Sequence, residues 1–243
     1  MISTPNDNPH AFSLDTPSSL IRLSQVSKDY PTPTGSFRAL HEVNLEIWPG
    51  EFVAVVGKSG AGKTTLVNMI TGVDHVTAGE VLVGGTKLGR MSETRLAQWR
   101  GRNVGVIYQS FHLLPGLSLL DNVSLPMDFC HIYRGRKSRE RALDLLCQVG
   151  LEGHVRKHPS QISGGQQQRV AIARALANDP SLIIADEPTG RLDSLTAESI
   201  FSIFEGLVKN GKTILMVTHD QGFARRVTRT LQIVDGQVQA YAS

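Results

Sequence analysis

Gly57-Lys58-Ser59-Gly60-Ala61-Gly62-Lys63-Thr64 sets glycines, a lysine and a hydroxyl at the spacing G-x-x-x-x-G-K-[ST]. Residues of these types at this spacing suit the holding of a chain of phosphates. Glycines let successive backbone N–H groups turn inward toward anionic oxygens. The loop runs into a helix starting at Lys63, and a helix start favours anions through its dipole and free N–H groups. Lys63 brings a compact cation to the β- and γ-phosphates. The Thr64 hydroxyl is placed to ligate Mg²⁺, and Thr65 follows directly. The bland alternative is a glycine-rich turn with an incidental lysine. The apolar strand before the loop and the helix after it speak against that alternative.

A second cluster lies at Leu182-Ile183-Ile184-Ala185-Asp186-Glu187, an apolar strand ending in two carboxylates. A phosphate loop needs an acidic group on a neighbouring strand to hold hydrated Mg²⁺, and Asp186 fits. Glu187 projects one position further, where a carboxylate can orient and polarise an attacking water. A third stretch, Ser163-Gly164-Gly165-Gln166, reads as a capping box, S-x-x-Q, at a helix start.

Alternating strands and helices must position these groups. Strands are expected at Leu20–Val26, Ala39–Ile47, Glu51–Val56, Asn103–Tyr108, Leu182–Asp186 and Thr213–Thr218. Glu51–Val56 is nearly all apolar, as a buried parallel strand should be. Helices are expected at Lys63–Thr71, Gly165–Ala177 and Ser194–Lys209. The middle of the chain changes character. Leu119–Tyr133 and Ser138–Val149 read as helical, with Ala142, Leu145, Leu146 and Val149 at helical spacing and Gly150 as the stop. They form a helical insert at about residues 110–165 within an α/β core. Asp235-Gly236 between two short runs predicts a terminal hairpin.

The 243 residues are 40% hydrophobic and 19% charged, as in a globular chain with a sizeable core. No apolar run approaches the roughly 18 residues that span a bilayer. Residues 1–19, rich in Ser, Thr, Pro and Asn and without an apolar core, read as a disordered arm rather than a secretory signal. Cys130 and Cys147, without metal-type spacing, point to reduced thiols. The net charge of +3 is mildly basic. Arg134, Arg136, Lys137, Arg139 and Arg141 read as a solvated helix face in preference to a lipid or nucleic-acid patch.

Ile162-Ser163-Gly164-Gly165-Gln166-Gln167-Gln168-Arg169, placed between the phosphate loop and the Asp186-Glu187 strand, resembles the signature motif of ABC ATPases. The resemblance covers about Leu20 to Gly236. It implies an α/β P-loop ABC ATPase core, a mostly parallel sheet with an antiparallel β subdomain and a helical subdomain insert, over residues 20–243. It implies that Gly57–Thr64 is Walker A, Leu182–Asp186 Walker B and Glu187 the catalytic glutamate. Gln109 resembles the Q-loop glutamine that contacts Mg²⁺, so that Thr64, Gln109 and Asp186 form the metal set. His219 resembles the switch histidine at the γ-phosphate, Asp193 the D-loop aspartate, and Tyr30 the aromatic that stacks on adenine, with Phe37 a nearby rival.

Within the family, Phe111-His112-Leu113-Leu114-Pro115, Asp121-Asn122-Val123, Gln166–Leu176 and Asp186-Glu187-Pro188-Thr189-Gly190 resemble the MacB/LolD/FtsE group. Arg191 and Ile162 depart from that group's usual Asn and Leu. The resemblance implies ATP and Mg²⁺ as ligands and a second copy of the chain as partner. Ser163–Gln166 and Asp193 of one copy would then complete the other copy's site. It further implies an FtsX- or MacB-like permease at the inner face of the cell membrane, and no nucleic acid. Either substrate export or extraction, or FtsE-like mechanotransmission without transport, fits. Phe111, Leu113, Leu114, Leu117 and Leu119 are expected to line the groove for the permease.

Overall fold

The computed structural model describes residues 18–33 and 35–240. Most of the expected N-terminal arm therefore lies outside the described residues; Ser19, at its end, is already buried. Two long antiparallel strands come first, β1 (Ile21–Thr32) and β2 (Gly35–Ile47). The first parallel strand, β3 (Phe52–Val56), leads through the glycine-rich loop into α1 (Lys63–Thr71). There follow β4 (Ala78–Val83), β5 (Thr86–Lys87), α2 (Glu93–Asn103) and β6 (Val104–Tyr108). The insert contributes α3 (Leu119–Cys130) and α4 (Arg136–Gln148). The chain closes with α5 (Gly164–Ala175), β7 (Leu182–Asp186), α6 (Ser194–Lys209), β8 (Thr213–Val217), α7 (Gln221–Ala224), β9 (Arg229–Val234) and β10 (Gln237–Ala240).

These strands make two sheets. One is antiparallel, in the order β2-β1-β4-β5; the other runs β10-β9-β3-β8-β7-β6 and is parallel except for β10. The central strands β3, β7 and β8 are apolar at every inner position because both of their faces are covered. Phe52, Ala54 and Val56 of β3 face one core with Phe201 and Phe204, while Val53 and Val55 face a second core with Leu66 and Ile70. The first core unites α3, α4, α5 and α6 with the sheet, and Phe52, Phe201 and Phe223 stack through it at 5.4 and 4.6 Å between ring centres. The second joins α1 to the antiparallel sheet. α1 is thus wedged between the two sheets, and the loop at its start is fixed by both.

The structure revises several expectations. β1 runs on to Thr32 rather than ending at Val26, and Tyr30 pairs opposite Phe37 of β2. β4, β5 and α2 had no clear signature. Gly79, Gly84 and Gly85 interrupt the first two, and α2 buries only Leu96 and Trp99, too thin a stripe to reveal a helix. Helix α3 stops at Cys130, with His131 left-handed at φ 55, instead of reaching Tyr133. The basic run, by contrast, is the solvated face expected: Arg134, Arg136, Lys137 and Arg139 are exposed. Arg136 pairs with Glu140, Arg139 with Asp121, and Arg141 donates to the Leu176 and Ala177 carbonyls at the end of α5. Cys130 and Cys147 are free thiols. Among the described residues no helix is long and apolar enough to cross a membrane.

Asn122 organises the approach to the insert. Fully buried, its amide donates to the Leu114, Leu117 and Ser118 carbonyls and accepts from the Leu114 N–H. Asn122→Ala strands these carbonyls in an apolar setting. It should lower unfolding free energy by about 2–4 kcal/mol in urea titrations, with residues 111–118 exchanging their amide protons fastest. A loss below about 0.5 kcal/mol would show the network to be incidental.

Candidate functional site

Each half of the site is built by a strand end or a helix start. The loop after β3 is held by close approach. Gly62 has φ 108, and a Cβ there would stand 2.6 Å from the Ala39 carbonyl of β2; one at Gly57 would stand 2.5 Å from the Ile233 carbonyl of β9. Lys63 folds back across the loop, its ammonium donating to the Gly57 and Lys58 carbonyls at 2.8 and 2.9 Å. Two of its three N–H donors are thereby fixed and one is left over.

Asp186 ends β7 in register with Tyr108 of β6 and Val217 of β8. Burial raises its carboxyl above the ordinary range; the Glu187 charge adds to this and Lys63 opposes it. Glu187 itself is left-handed, at φ 48, with its N–H donating to the Val217 carbonyl. That turn aims its side chain at His219, whose Nδ1 lies 2.8 Å from Glu187 Oε2. A carboxylate only accepts, so the proton of this bond sits on Nδ1.

Gln109 follows β6. The loop after it is unusual, with Phe111 and His112 both left-handed at φ 59 and 49. Arg174 of α5 braces that turn, donating to the His112 and Phe111 carbonyls at 2.5 and 2.7 Å, while His112 stacks on Tyr108 at 4.8 Å. The sequence reading missed Arg174, which there was one position of a longer motif.

One open pocket of about 550 Å³ gathers most of these groups. Tyr30, Phe37 and Ala39 line one end, the glycine-rich loop with Lys63, Thr64 and Thr65 its floor, and Gln109, Asp186, Glu187 and His219 the other end. Of the glycine-rich motif, Lys58 and Ala61 do not line it: Lys58 is exposed and Ala61 is buried behind the loop. Thr64, Gln109 and Asp186 share the pocket and offer a hydroxyl, an amide and one carboxylate. Among the described residues no group of three or more His, Cys, Asp or Glu stands ready to hold a metal ion alone. A donor set of this kind fits Mg²⁺ held jointly by one carboxylate and substrate phosphates. The repulsion between Asp186 and Glu187 is also what a cation would relieve.

Ser163, Gly164, Gly165, Gln166 and Asp193 are not in this pocket. Ser163 caps α5 as expected: its Oγ accepts from the Gln166 N–H at 3.3 Å and the Gln166 side chain accepts from the Ser163 N–H at 3.0 Å. Asp193 caps α6, accepting from the Thr196 hydroxyl and N–H, and these bonds hold its carboxyl below the usual range. A side chain at Gly164 would lie 3.9 Å from both Leu192 and Phe111, so α5, the turn before α6 and the loop after Gln109 meet. Ser163 and Gly164 are exposed.

A separate groove of about 290 Å³ runs between α2 and α3 and is almost wholly apolar, lined by Leu114, Leu125, Pro126 and Phe129 among others. Phe129 is 74% exposed and Leu114 44%. Of the expected lining only Leu114 is found here: Leu119 is buried on the inner side of α3, Leu113 in the loop before it packs against the same core, and Phe111 and Leu117 do not line the groove.

Known proteins match this arrangement. The family described as ABC transporter matches residues 40–190. An uncharacterized ABC transporter ATP-binding protein of Thermotoga maritima is 45% identical over 90% of this chain and 94% of that protein. The macrolide export ATP-binding/permease protein MacB 1/2 of Paracoccus denitrificans is 43% identical over 93% of this chain, which spans only 34% of that longer protein. The dimeric structure of the ATP-binding cassette MJ0796 in a post-hydrolysis state, bound to ADP and Pi, superposes with a TM-score of 0.83. It is 41% identical and covers 92% of this chain and 99% of that one. A glycine-rich loop, a capped helix start and an acidic strand end in this order, on this fold and with these relatives, make the chain a member of the ABC transporter family, the ATP-binding cassette of a transporter.

Proposed function

We propose that two copies of this chain sandwich two ATP molecules head to tail and drive an FtsX-like permease at the inner face of the cell membrane, for export or extraction of a substrate. The observation that carries this reading is the division of the site. Lys63, Asp186, Glu187 and His219 share one pocket, while the capped start of α5 stands outside it, exposed. An exposed helix start outside its own chain's pocket suits the γ-phosphate held by a partner. Support also comes from the dimeric form of the MJ0796 cassette.

In this reading the glycine-rich loop and Lys63 hold the phosphates. Mg²⁺, with Thr64, Gln109 and Asp186 as its protein ligands, would neutralise charge on the β- and γ-phosphates. Glu187 orients the attacking water. His219 keeps Glu187 in place through Nδ1; for its Nε2 to donate to the γ-phosphate the ring must carry a second proton. Ser163–Gln166 and Asp193 act on the partner's nucleotide. The work of the residues is positioning and charge neutralisation rather than covalent chemistry.

The groove beside Phe129 receives the permease. Purified from detergent-solubilised membranes, the chain should carry one integral membrane protein in fixed ratio, and Phe129→Glu should release it while leaving ATP-dependent dimerisation intact. Retention of that protein by Phe129→Glu would remove the groove from the proposal. A chain that brings down no membrane protein would overturn the coupling itself.

A further inference from the structure

The base end of the pocket holds a cluster that the reaction does not use. Tyr30 on β1 donates its hydroxyl to Asp74 Oδ2 at 3.1 Å. Asp74 Oδ1 accepts from the Lys28 ammonium at 2.7 Å and from the His75 N–H at 2.7 Å. Lys28 also donates to the His75 carbonyl at 2.7 Å, and its ammonium lies 4.9 Å from the centre of the Tyr30 ring. The Lys28 side chain is only 11% exposed. Burial works to raise the Asp74 carboxyl, but the bonds from Lys28, His75 and Tyr30 outweigh it and hold the group below its usual range, so it is an acceptor at neutral pH.

The cluster leaves one way for the ring to act. Lys28 covers part of one face of Tyr30 through a cation–π contact, so a planar ligand must use the other. The hydroxyl is already engaged with Asp74. Phe37, opposite Tyr30 in the strand pair, and Ala39 line the same end of the pocket and offer no polar side chain. Asp74 lies just beyond the end of α1, the helix whose first turn forms the phosphate cradle. The Tyr30 ring is therefore tied to the far end of the element that holds the phosphates at its near end.

We infer that Lys28 and Asp74 are positioning residues for the nucleobase: they lock the Tyr30 ring in the plane and at the distance from the phosphate loop that a bound nucleoside diphosphate or triphosphate requires. The inference rests on Tyr30 being the base platform. It separates binding into a phosphate part, which the pair does not touch, and a base part, which it sets. Phe37, which is 56% exposed, has no comparable anchor.

Calorimetric titration of the full chain with ADP and with inorganic pyrophosphate tests this without any turnover. Tyr30→Ala, which removes the ring, should weaken ADP about ten-fold or more, in line with the loss of a base–aromatic stack. Tyr30→Phe, Asp74→Asn and Lys28→Met should each weaken ADP about three- to ten-fold while pyrophosphate affinity stays the same, a range set below the full stack. Tyr30→Phe combined with Asp74→Asn should lose less than the sum of the two alone, because the Tyr30–Asp74 bond is common to both. Unchanged ADP affinity in Asp74→Asn and Lys28→Met, an equal loss for pyrophosphate, or additive losses would overturn the positioning role while leaving Tyr30 as the platform. Unchanged ADP affinity in Tyr30→Ala would overturn the platform and the inference together.

Discussion

Glu187→Gln should lower ATP turnover by at least about a hundred-fold, the scale of a lost general base, while ATP still binds and dimers accumulate. The substitution keeps the size of the side chain and removes the charge that polarises water. The backbone also argues for a specific role. Glu187 is held left-handed at φ 48 by its N–H bond to Val217, which directs the carboxylate into the pocket beside His219 and away from the strand. A non-glycine residue in that conformation is uncommon outside positions that a fold over-determines. Glutamine can keep the contact with His219, so the phosphate cradle and the Ser163 helix start are left as they are. Light scattering should give a monomer without nucleotide and a dimer with ATP and Mg²⁺, and the dimer should persist because hydrolysis no longer opens it. Turnover close to that of the unaltered chain would remove Glu187 from its role. A strictly monomeric variant at high concentration with ATP and Mg²⁺ would dismantle the sandwich.

Ser163→Arg is the second large effect, and it falls on association. Ser163 is exposed in the monomer, so a guanidinium there has room; the local cost is the lost cap, about 1 kcal/mol. In the proposed closed dimer the same position would meet the partner's phosphate loop, where arginine would bring bulk and where Lys63 already supplies a positive charge. An uncompensated buried charge costs about 3–5 kcal/mol, about two to four orders of magnitude in association. ATP-dependent dimerisation in the Glu187→Gln background should be lost, and nucleotide binding by the monomer should be unchanged. Ser163→Thr, which can still cap α5, is the control and should dimerise. Normal dimerisation by Ser163→Arg would show that the start of α5 lies away from the nucleotide.

Much of this site was legible in the chain because its motifs are local. The glycine-rich loop is a run of consecutive residues whose backbone does the work, and a strand before and a helix after are enough to place it. The Ser163–Gln166 capping box needs only four residues, and it forms as expected. Leu182–Asp186 was legible as a strand because an all-apolar run of this length is buried on both faces. Asp193, which the resemblance gives as the D-loop aspartate, caps α6 by bonds to Thr196, a local role that a short pattern can encode.

Other features depend on approach between distant segments, and no local pattern encodes that. Glu187 and His219 are 32 positions apart and meet because β7 and β8 lie side by side in the parallel sheet. Tyr30 and Asp74 are 44 apart and meet only because the second core presses α1 against the antiparallel sheet. Arg174 reaches the Phe111 carbonyl across 63 positions because α5 packs beside β6. The amino-acid order by itself determined which backbone can cradle phosphates, which strand ends in carboxylates and which helix has a satisfied N-terminus, since each is settled by hydrogen bonds over a few residues. The tertiary structure alone decided that Tyr30 is anchored and Phe37 is not, that Leu119 belongs to the core while Phe129 stays exposed, and that the capped start of α5 lies exposed outside the pocket of its own chain. Burial and long-range pairing are set by which surfaces the two cores bring together.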